Sequence, residues 1–290
     1  MSIIETVDIV PDMFKEVRSI YDKYSACDAA HSFRSLFIWK TDMELSIYKE
    51  PDLYAVKSSQ GEGFWFFPVG NDAAKKNFID RLIKANEGIA FEYMTESDVA
   101  FIEQNYPERF LITLSRDSSE YIMDREIMET LPGKHFAKDR GHINKFVKEH
   151  ELKTVDIHSI SKEELFDITR TWDENKRDYE EVIDKTATQT IISHMDMLDL
   201  HGIAILMDNE PYAVIAGFPL NDETVDCCLQ KCKENVQGLS YYLRQEYAKS
   251  HEKNVKFFNW EEDLGIEGLR RAKELMQPVR ILDMYSGCLR

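Results

Sequence analysis

The order of the predicted secondary-structure elements occurs twice along the chain and constrains the fold more than any other feature. Apolar periodicities and turn residues predict helices, a three-stranded meander, and then helix, strand, helix and strand. The first copy has its meander in 45–69 and the second in 202–231. Because the order repeats while the letters show no obvious repeat, we predict two similar α+β domains, at residues 1–120 and 121–290.

The net charge of the chain restricts the classes of molecule that it is expected to bind. The 290 residues carry a formal charge of −17, and such a field repels phosphate backbones and anionic bilayers. We therefore expect no DNA partner, and tRNA is disfavoured. No apolar run approaches the roughly 20 residues of a membrane span, and the acidic N-terminus lacks the layout of a signal peptide. These features predict a cytoplasmic protein without integral membrane association.

Several motifs of known chemistry are missing from the sequence. The five cysteines are odd in number, and three of them are crowded in 227–232, which favours reduced thiols over a disulfide framework. Their spacing is not that of a zinc ribbon, and no HExxH motif occurs. We therefore predict no metal site. Neither a phosphate-binding GxxxxGK[ST] loop nor a GxSxG nucleophile turn is present.

One basic stretch interrupts the acidic chain, in GKHFAKDRGHINKFVK at 133–148. It has two interpretations. A charge run is typically the solvated face of an amphipathic helix, and the polar side chains then make local hydrogen bonds. Alternatively, the stretch contacts an anionic substrate or polyphosphate. The candidate substrate-binding residues for that second interpretation are Lys134, Arg140, His142 and Asn144.

The strongest local pattern lies after the second meander. A strand ends near Lys231, a short loop follows, and Gly238 opens an amphipathic helix. The first N–H groups of a helix have no internal partners, and glycine allows a phosphate to approach the backbone closely. The pattern predicts a pyrophosphate site, although a plain turn has the same pattern. The residues of that site are Asn235, Val236, Gln237, Gly238, Leu239 and Ser240.

Two resemblances add to this interpretation. The spacing Asn235-x-x-Gly238-x-Ser240 resembles the coenzyme A loop of the GNAT N-acyltransferase superfamily, with departures at its first and last positions. The blocks LPGKHFAKDRGHINKF (131–146) and NWEEDLGIEGLRRAKELMQP (259–278) resemble proteins related to the C-terminal domain of phosphatidylglycerol lysyltransferases. The resemblance implies two tandem GNAT-like domains, each a mixed, mostly antiparallel sheet flanked by helices.

The same resemblance implies roles for individual residues in the second half. The acyl donor, coenzyme A or acyl-coenzyme A, lies where the parallel strands 224–231 and 255–259 splay apart. Gln230 and Lys231 line the donor edge, while Asn259 and Asp263 bind substrate at the open end. The candidate catalytic residues are Glu261 or Glu262 as the base for an attacking amine, and Tyr241 or Tyr285 as the group that returns a proton.

Several of these residues also have a less specific, structural interpretation. Acidic residues just before a helix stabilise its dipole, which accounts for part of Glu261, Glu262 and Asp263. Lys231 is then a solvated strand end. Three functions follow: transfer of an acyl group from a coenzyme A thioester to a small amine, transfer from aminoacyl-tRNA to a lipid or peptide, or a catalytically degenerate module that binds a ligand or partner.

Overall fold

A computed structural model describes residues 4–25, 28–85, 88–176 and 184–290, and the chain divides into two compact units. Unit 1 comprises Met1–Tyr121, Glu261–Leu275 and Arg280–Arg290, and unit 2 comprises Ile122–Trp260 and Met276–Val279. Unit 1 thus includes a segment from the end of the chain. The domain boundary predicted between residues 120 and 121 stays a prediction.

The described residues form the following helices and strands. The helices are α1 (Phe14–Tyr24), α2 (Phe33–Trp39), α3 (Asp72–Ala85), α4 (Glu96–Asn105), α5 (Arg125–Thr130), α6 (Ala137–Glu149), α7 (Lys162–Lys176), α8 (Lys185–Ser193), α9 (Leu239–Ser250) and α10 (Glu267–Leu275). The strands are β1 (Val7–Asp8), β2 (Leu45–Glu50), β3 (Leu53–Ser58), β4 (Phe64–Phe66), β5 (Val69–Gly70), β6 (Ala90–Met94), β7 (Phe110–Asp124), β8 (Leu152–Asp156), β9 (His201–Met207), β10 (Glu210–Pro219), β11 (Thr224–Cys232), β12 (Phe257–Asn259) and β13 (Arg280–Leu289).

The sheet of unit 1 has the strand order β1-β2-β3-β4-β6-β13-β7, and β5 pairs with β3. The strands from β1 to β4 are antiparallel neighbours. β4 lies parallel to β6, and β13 lies antiparallel to β6. A meander followed by one parallel neighbour is therefore the plan of this unit.

Unit 2 has the same plan. β8, β9, β10 and β11 are antiparallel neighbours, β11 lies parallel to β12, and the end of β7 lies antiparallel to β12. The predicted α+β class is confirmed, with mixed, mostly antiparallel strand pairing and flanking helices, and the order of helices, meander, helix, strand, helix and strand occurs twice along the chain.

Local signals fix several of these elements. Ser161 and Glu164 form a capping box before α7, since each backbone N–H donates to the side chain of the other residue, at 2.9 and 3.2 Å. In the second meander, the Asn221 side chain accepts hydrogen bonds from the N–H groups of Glu223 and Thr224, both at 2.9 Å. That turn chemistry sets the β10–β11 hairpin.

Two elements differ from the prediction. β7 is 15 residues long and continues to Asp124, past the domain boundary predicted between residues 120 and 121. The last strand of the three-stranded meander predicted in 45–69 forms as the separate strands β4 and β5. Pro68 lies between them and has no N–H to donate to a sheet, which explains the break.

Each unit has an apolar core. In unit 1, a cluster that includes Trp65, Phe78 and Phe91 lies against the sheet, and in unit 2 Leu131, Phe136 and Ile143 form a smaller cluster. Among the described residues, no helix is both long and apolar enough to cross a bilayer. The four described cysteines are free, and Cys27 lies outside the described residues.

Candidate active site

A small cleft in unit 1 combines apolar walls with two of the predicted catalytic carboxylates. The space between its lining atoms is about 310 Å³, part of which is open solvent. Glu261 and Glu262 line it together with residues of α2, β2, β4 and β6 and of the loops beside them. The remaining lining residues are Ala29, Ala30, Ser35, Leu36, Trp39, Met43, Leu45, Phe66 and Tyr93.

The backbone at Ala29 and Ala30 is held in place by a buried carboxylate. Glu120 in β7 is fully buried, and its two oxygens accept hydrogen bonds from the Ala29 N–H at 3.0 Å. One of these oxygens also accepts from the Ala30 N–H at 3.0 Å. Because two successive backbone N–H groups donate to this one buried side chain, they hold this wall of the cleft in position.

Two residues of the cleft have unusual backbone conformations. Tyr93 has φ of 56° and Glu261 has φ of 53°, in the left-handed region that non-glycine residues rarely adopt. The Tyr93 ring stacks on Phe66, with centroids 4.5 Å apart. Strained residues concentrate at functional sites, where the surrounding fold maintains them. Their occurrence in one cleft therefore marks this place as a candidate site.

Glu262 has the electrostatics of a proton acceptor. Burial raises the pKa of its carboxyl above the ordinary value, although the nearby Lys273 ammonium opposes this shift. Lys273 itself donates a hydrogen bond to the Glu262 backbone carbonyl. A carboxylate of raised pKa takes up a proton more readily than an ordinary one, as a general base requires.

Asp263 does not serve the substrate-binding role predicted for it. Its side chain is fully buried and accepts from Tyr121 Oη at 2.6 Å, from Arg270 at 2.8 Å and from the Gly265 N–H at 2.9 Å. Arg116 lies 3.2 Å away. Although burial opposes ionisation, these donors lower the pKa of Asp263 to about 2. The carboxylate is thus engaged by its own unit.

Gly238 in unit 2 also differs from the prediction. It has φ of 96°, and a Cβ added there would lie 2.6 Å from the His142 carbonyl oxygen and 2.9 Å from Phe146 Cβ. The close approach that this glycine permits is therefore to the backbone of α6. Because α6 occupies that space, the glycine is explained by helix packing rather than by the phosphate approach that we predicted.

The loop before α9 does lie beside the basic helix. His142 Nε2 is 3.1 Å from Gln237 Nε2, and Tyr241 packs against the apolar cluster at the α6 end of unit 2. Arg140 donates to the carbonyl oxygens of Leu131 and Gly133, so it caps the end of α5. Two groups of candidate residues predicted separately are thus neighbours.

The remaining predicted residues of the loop and helix differ in exposure. Lys134, Asn144, Asn235 and Gln237 are exposed, Val236 and Ser240 are partly buried, and Leu239 is buried. The Leu239 N–H donates to the Val236 carbonyl at 3.1 Å, and Ser240 Oγ lies 3.9 Å from Cys232 Sγ.

β12 in unit 2 is three residues long, and all three pair with β11, from Thr224 to Asp226. β11 continues beyond this pairing to Cys232. The predicted splay of these two strands stays a prediction. Asn259, at the end of the pairing, is fully buried. Gln230 lies beyond the paired segment, where its Oε1 accepts from Arg244 Nε at 2.9 Å.

Lys231 is not the solvated strand end that its sequence position suggested. It is 3% exposed, its Nζ lies 2.7 Å from Asp184 Oδ2, and it is 3.3 Å from the centre of the Trp172 ring. Its charge is therefore used inside unit 2. The candidate proton donor Tyr285 is the Cα partner of Met94 in unit 1 and packs against the core there, and it is not among the residues lining the cleft.

The apolar walls of the cleft and the position of Arg244 were not predicted from the sequence. Ala29, Ala30 and Tyr93 have no local pattern that distinguishes them from ordinary loop and strand residues. Arg244 did leave a signal, because it follows Tyr241 by three residues and so shares its face of α9. In the described part of the chain, no group of three or more His, Cys, Asp or Glu side chains is arranged to hold a metal ion.

Comparison with known proteins places this geometry in context. A family model described as phosphatidylglycerol lysyltransferase, C-terminal, matches residues 22–286. Among curated proteins, an uncharacterized protein of Mycoplasmoides gallisepticum is 21% identical, over 76% of this chain and 73% of its own length.

Solved structures are similar over nearly the whole chain. A conserved protein of unknown function from Bacteroides thetaiotaomicron has a TM-score of 0.88 at 27% identity, covering 99% of this chain and 100% of its own. The structure of L-PGS from Bacillus licheniformis has a TM-score of 0.68 at 15% identity, covering 100% and 94%. FemX has a TM-score of 0.63 at 9% identity, covering 99% and 97%. At these lower identities the likeness concerns the fold alone.

Proposed function

The chain belongs to the family of phosphatidylglycerol lysyltransferase C-terminal domains, and we propose that it transfers an aminoacyl or acyl group to the amino group of a small substrate bound at Glu262. Family membership supports a function of the acyl- or aminoacyltransferase type. The substrate and the donor are our inference from the chemistry of the two units.

The observation that carries the proposal is a carboxylate at the edge of an apolar cleft. Leu36, Trp39 and Phe66 supply the apolar walls, and Glu261 and Glu262 supply the acidic end. A carboxylate attracts an ammonium group more strongly where water is displaced, while the walls accommodate the hydrocarbon attached to it. This combination favours an amine over an alcohol or an anion.

Glu262 provides the chemistry that such a transfer needs. The amine attacks as a neutral nitrogen, so it must lose a proton before or during attack on the acyl carbonyl. Glu262 accepts that proton as the carbon–nitrogen bond forms and the bond to the donor's oxygen or sulfur breaks. The proton then passes to the departing oxygen or sulfur, so that the donor leaves as an alcohol or a thiol and Glu262 is again a carboxylate. The wall at Ala29 and Ala30 holds the amine in one orientation, which is itself a large part of catalysis.

Two donors fit this reaction, and the geometry favours aminoacyl-tRNA. The space beside Gly238 is filled by the backbone of α6, which argues against the pyrophosphate contact expected of coenzyme A. Near the same loop, Lys134, Lys138, Lys145 and Lys148 are exposed, and ammonium groups in such a row suit an RNA backbone. Acyl-coenzyme A is the alternative donor.

To test the proposal, each candidate donor is offered separately to the same purified protein. Purified protein is mixed with a set of small amines and either radiolabelled aminoacyl-tRNA or radiolabelled acetyl-coenzyme A, and labelled amide product is measured. We expect product from one donor, and a loss of about 100-fold in rate for Glu262→Gln, since a general base contributes roughly 10²–10⁴.

Glu267→Gln is the matched control, because Glu267 is an exposed acid in the same segment. Its rate should equal that of the wild type. Absence of product from both donors, or an undiminished rate in Glu262→Gln, would contradict the proposal.

A further inference from the structure

A buried histidine lies directly behind two walls of the cleft in unit 1. His31 is not among the residues that line the cleft, but it follows Ala29 and Ala30, which are. Its ring also meets the lining residue Phe66 edge to face, with ring centroids 5.9 Å apart and planes at 88°. His31 is buried, so its ring is withdrawn from solvent. A change at this ring therefore reaches two walls of the cleft.

One carboxylate holds the ring of His31. Asp28 Oδ1 lies 2.7 Å from the ring nitrogen Nδ1 and accepts a hydrogen bond from the His31 backbone N–H at 2.8 Å. The second Asp28 oxygen accepts from Ser25 Oγ at 3.1 Å. The other ring nitrogen, Nε2, is buried and has no hydrogen-bond partner among the described residues. Asp28 is thus the group that fixes the orientation of the imidazole.

The backbone beside this pair depends on buried carboxylates as well. The N–H groups of residues 29–31 all donate to such groups, since Glu120 accepts the first two and Asp28 the third. Both carboxylates are buried. Tyr54 Oη donates to the His31 carbonyl oxygen at 2.6 Å. The cleft wall is therefore held by negative charges that are withdrawn from water.

His31 supplies the positive charge that pairs with Asp28. A buried carboxylate is costly unless a cation accompanies it, and the imidazolium is the partner in this ion pair. Although burial disfavours the imidazolium, the carboxylates of Asp28, Asp98 and Glu120 raise the pKa of His31 above its ordinary value of 6.5. Loss of the His31 proton would leave Asp28 buried without this counter-charge.

The other charged groups around His31 favour its protonated form. Asp98 belongs to α4 and Glu120 to β7, and both attract the imidazolium. Lys75 of α3 lines a small cleft that His31 and Asp98 also line. Its ammonium lies 3.0 Å from Asp72, so its charge has a carboxylate partner of its own. The surroundings of His31 are thus dominated by negative charge.

We propose that His31, anchored by Asp28, is a positioning residue for the Ala29 and Phe66 walls of the cleft, and that the cleft binds its amine while the imidazole is protonated. The identity of the ligand rests on the proposed function, whereas the coupling between the His31 proton and the wall does not. Because the pKa of His31 is raised in the fold, its contribution is complete below pH 6.5 and is lost as pH rises through the folded value. Glu262 acts in the opposite direction, since it gains charge as pH rises.

The test follows pentylamine binding to the full chain by calorimetry between pH 6.5 and pH 9. NMR follows the imidazole signal of His31 over the same range. Pentylamine stays an ammonium throughout, because alkyl amines titrate near pH 10. We expect its affinity to fall at least fivefold as His31 loses its proton, a direction that Glu262 cannot produce. An affinity that stays constant or rises over this range would contradict the proposal.

His31→Asn separates the charge from the hydrogen bond. Its amide nitrogen donates to Asp28 as Nδ1 does, but it does not titrate. We expect about tenfold weaker binding at pH 6.5 and no further fall with pH. Adding Asp28→Asn removes the carboxylate that has lost its counter-charge, so the double variant should recover severalfold of that affinity. A double variant that binds more weakly than His31→Asn would contradict the charge pairing, and the wild-type titration remains decisive if either variant folds poorly.

His201→Asn is the matched control. His201 also lies close to an aspartate, at 3.6 Å from Asp199, but the two side chains are 65% and 60% exposed. An exposed pair of this kind contributes little. The variant should keep both the affinity and the pH profile of the wild type.

Hydrogen exchange keeps this inference separate from the proposed reaction. In the protein without amine, the protection of the Ala29 and Ala30 amides should fall at least fivefold as the His31 imidazole loses its proton. If pentylamine fails to bind at every pH while this protection falls, amine recognition is wrong and the coupling stands. Protection that stays constant while His31 titrates would contradict the coupling. Binding of pentylamine by folded His31→Asn with the affinity and pH profile of the wild type would contradict it equally.

Discussion

Glu262 and Asp263 are adjacent carboxylates of unit 1 with opposite surroundings. Asp263 is fully buried among Arg270, Arg116 and Tyr121, and its pKa falls to about 2. Glu262 lines a cleft with apolar walls, and burial raises its pKa. One step along the backbone separates a carboxylate that holds the fold together from one that is ready to accept a proton. Donors and solvent, rather than position in the sequence, decide between these roles.

The largest expected effect is the loss of stability on removing the buried charge. Asp263→Asn leaves Arg116 and Arg270 facing an amide, and breaking a buried ion pair costs about 3–5 kcal/mol. Urea denaturation measures the free energy of unfolding. Asp117→Asn is the control, because Asp117 also pairs with Arg270, at 2.6 Å, but its side chain is 65% exposed. It should lose less than about 1 kcal/mol. Equal losses of unfolding free energy in Asp263→Asn and Asp117→Asn would contradict the stabilising role assigned to the buried carboxylate.

In unit 2, Gly238 was likewise predicted to contact a ligand, but in the structure it has a packing role. Gly238→Ala places a methyl group 2.6 Å from the His142 carbonyl oxygen at φ of 96°, and we expect a loss of about 1–3 kcal/mol. Gly141→Ala in α6 adds its methyl group to open space and should gain about 0.5–1 kcal/mol. Thermal unfolding of both variants measures this contrast, and an unchanged melting temperature for Gly238→Ala would contradict it.

Acid should reveal the charge of Asp263 separately. Its folded pKa of about 2 lies below the ordinary value of 3.8, so its ionisation stabilises the native state at neutral pH. That contribution, about 2 kcal/mol, is present above pH 4 and is lost as pH falls toward 2. Urea titrations of the wild type and of Asp263→Asn across this window should differ in slope. Parallel curves would show that Asp263 is not the group responsible.

Glu262 should show the opposite sign and the smallest change in stability. Its folded pKa is raised, so its ionisation opposes folding as pH rises through that value. The uncharged Glu262→Gln should therefore be at least as stable as the wild type at pH 8, by urea denaturation, while transfer is lost. A marked destabilisation of this variant would contradict the prediction, because it would show that Glu262 stabilises the fold as Asp263 does.

The sequence predicted the architecture well because local chemistry determines it. The capping box at Ser161 and Glu164 and the turn at Asn221 are determined by residues within a few positions of one another. Because the predicted order of elements occurs twice along the chain, it also predicted two similar domains. The break at Pro68 and the length of β7 were missed, because strand ends depend on neighbouring strands that a local pattern does not include.

The candidate site was only partly predictable. Glu261 and Glu262 were selected through family resemblance, but Asp263 came with them because a run of acids looks uniform in sequence. Gly238 was interpreted as a phosphate contact because the sequence does not show that α6 packs against it. The contacts of Arg244 with Gln230 and Trp260 were not predicted, because these residues are more than ten positions away along the chain.

Amine binding in the cleft tests the central claim most directly. Pentylamine and pentanol have the same hydrocarbon chain and differ only in the polar end, so their calorimetric titration at pH 8 isolates recognition of the amino group. We predict that the wild type prefers pentylamine and that Glu262→Gln binds the two alike, with Glu267→Gln behaving as the wild type. A wild type with no preference for the amine, or a preference that survives in Glu262→Gln, would contradict the account.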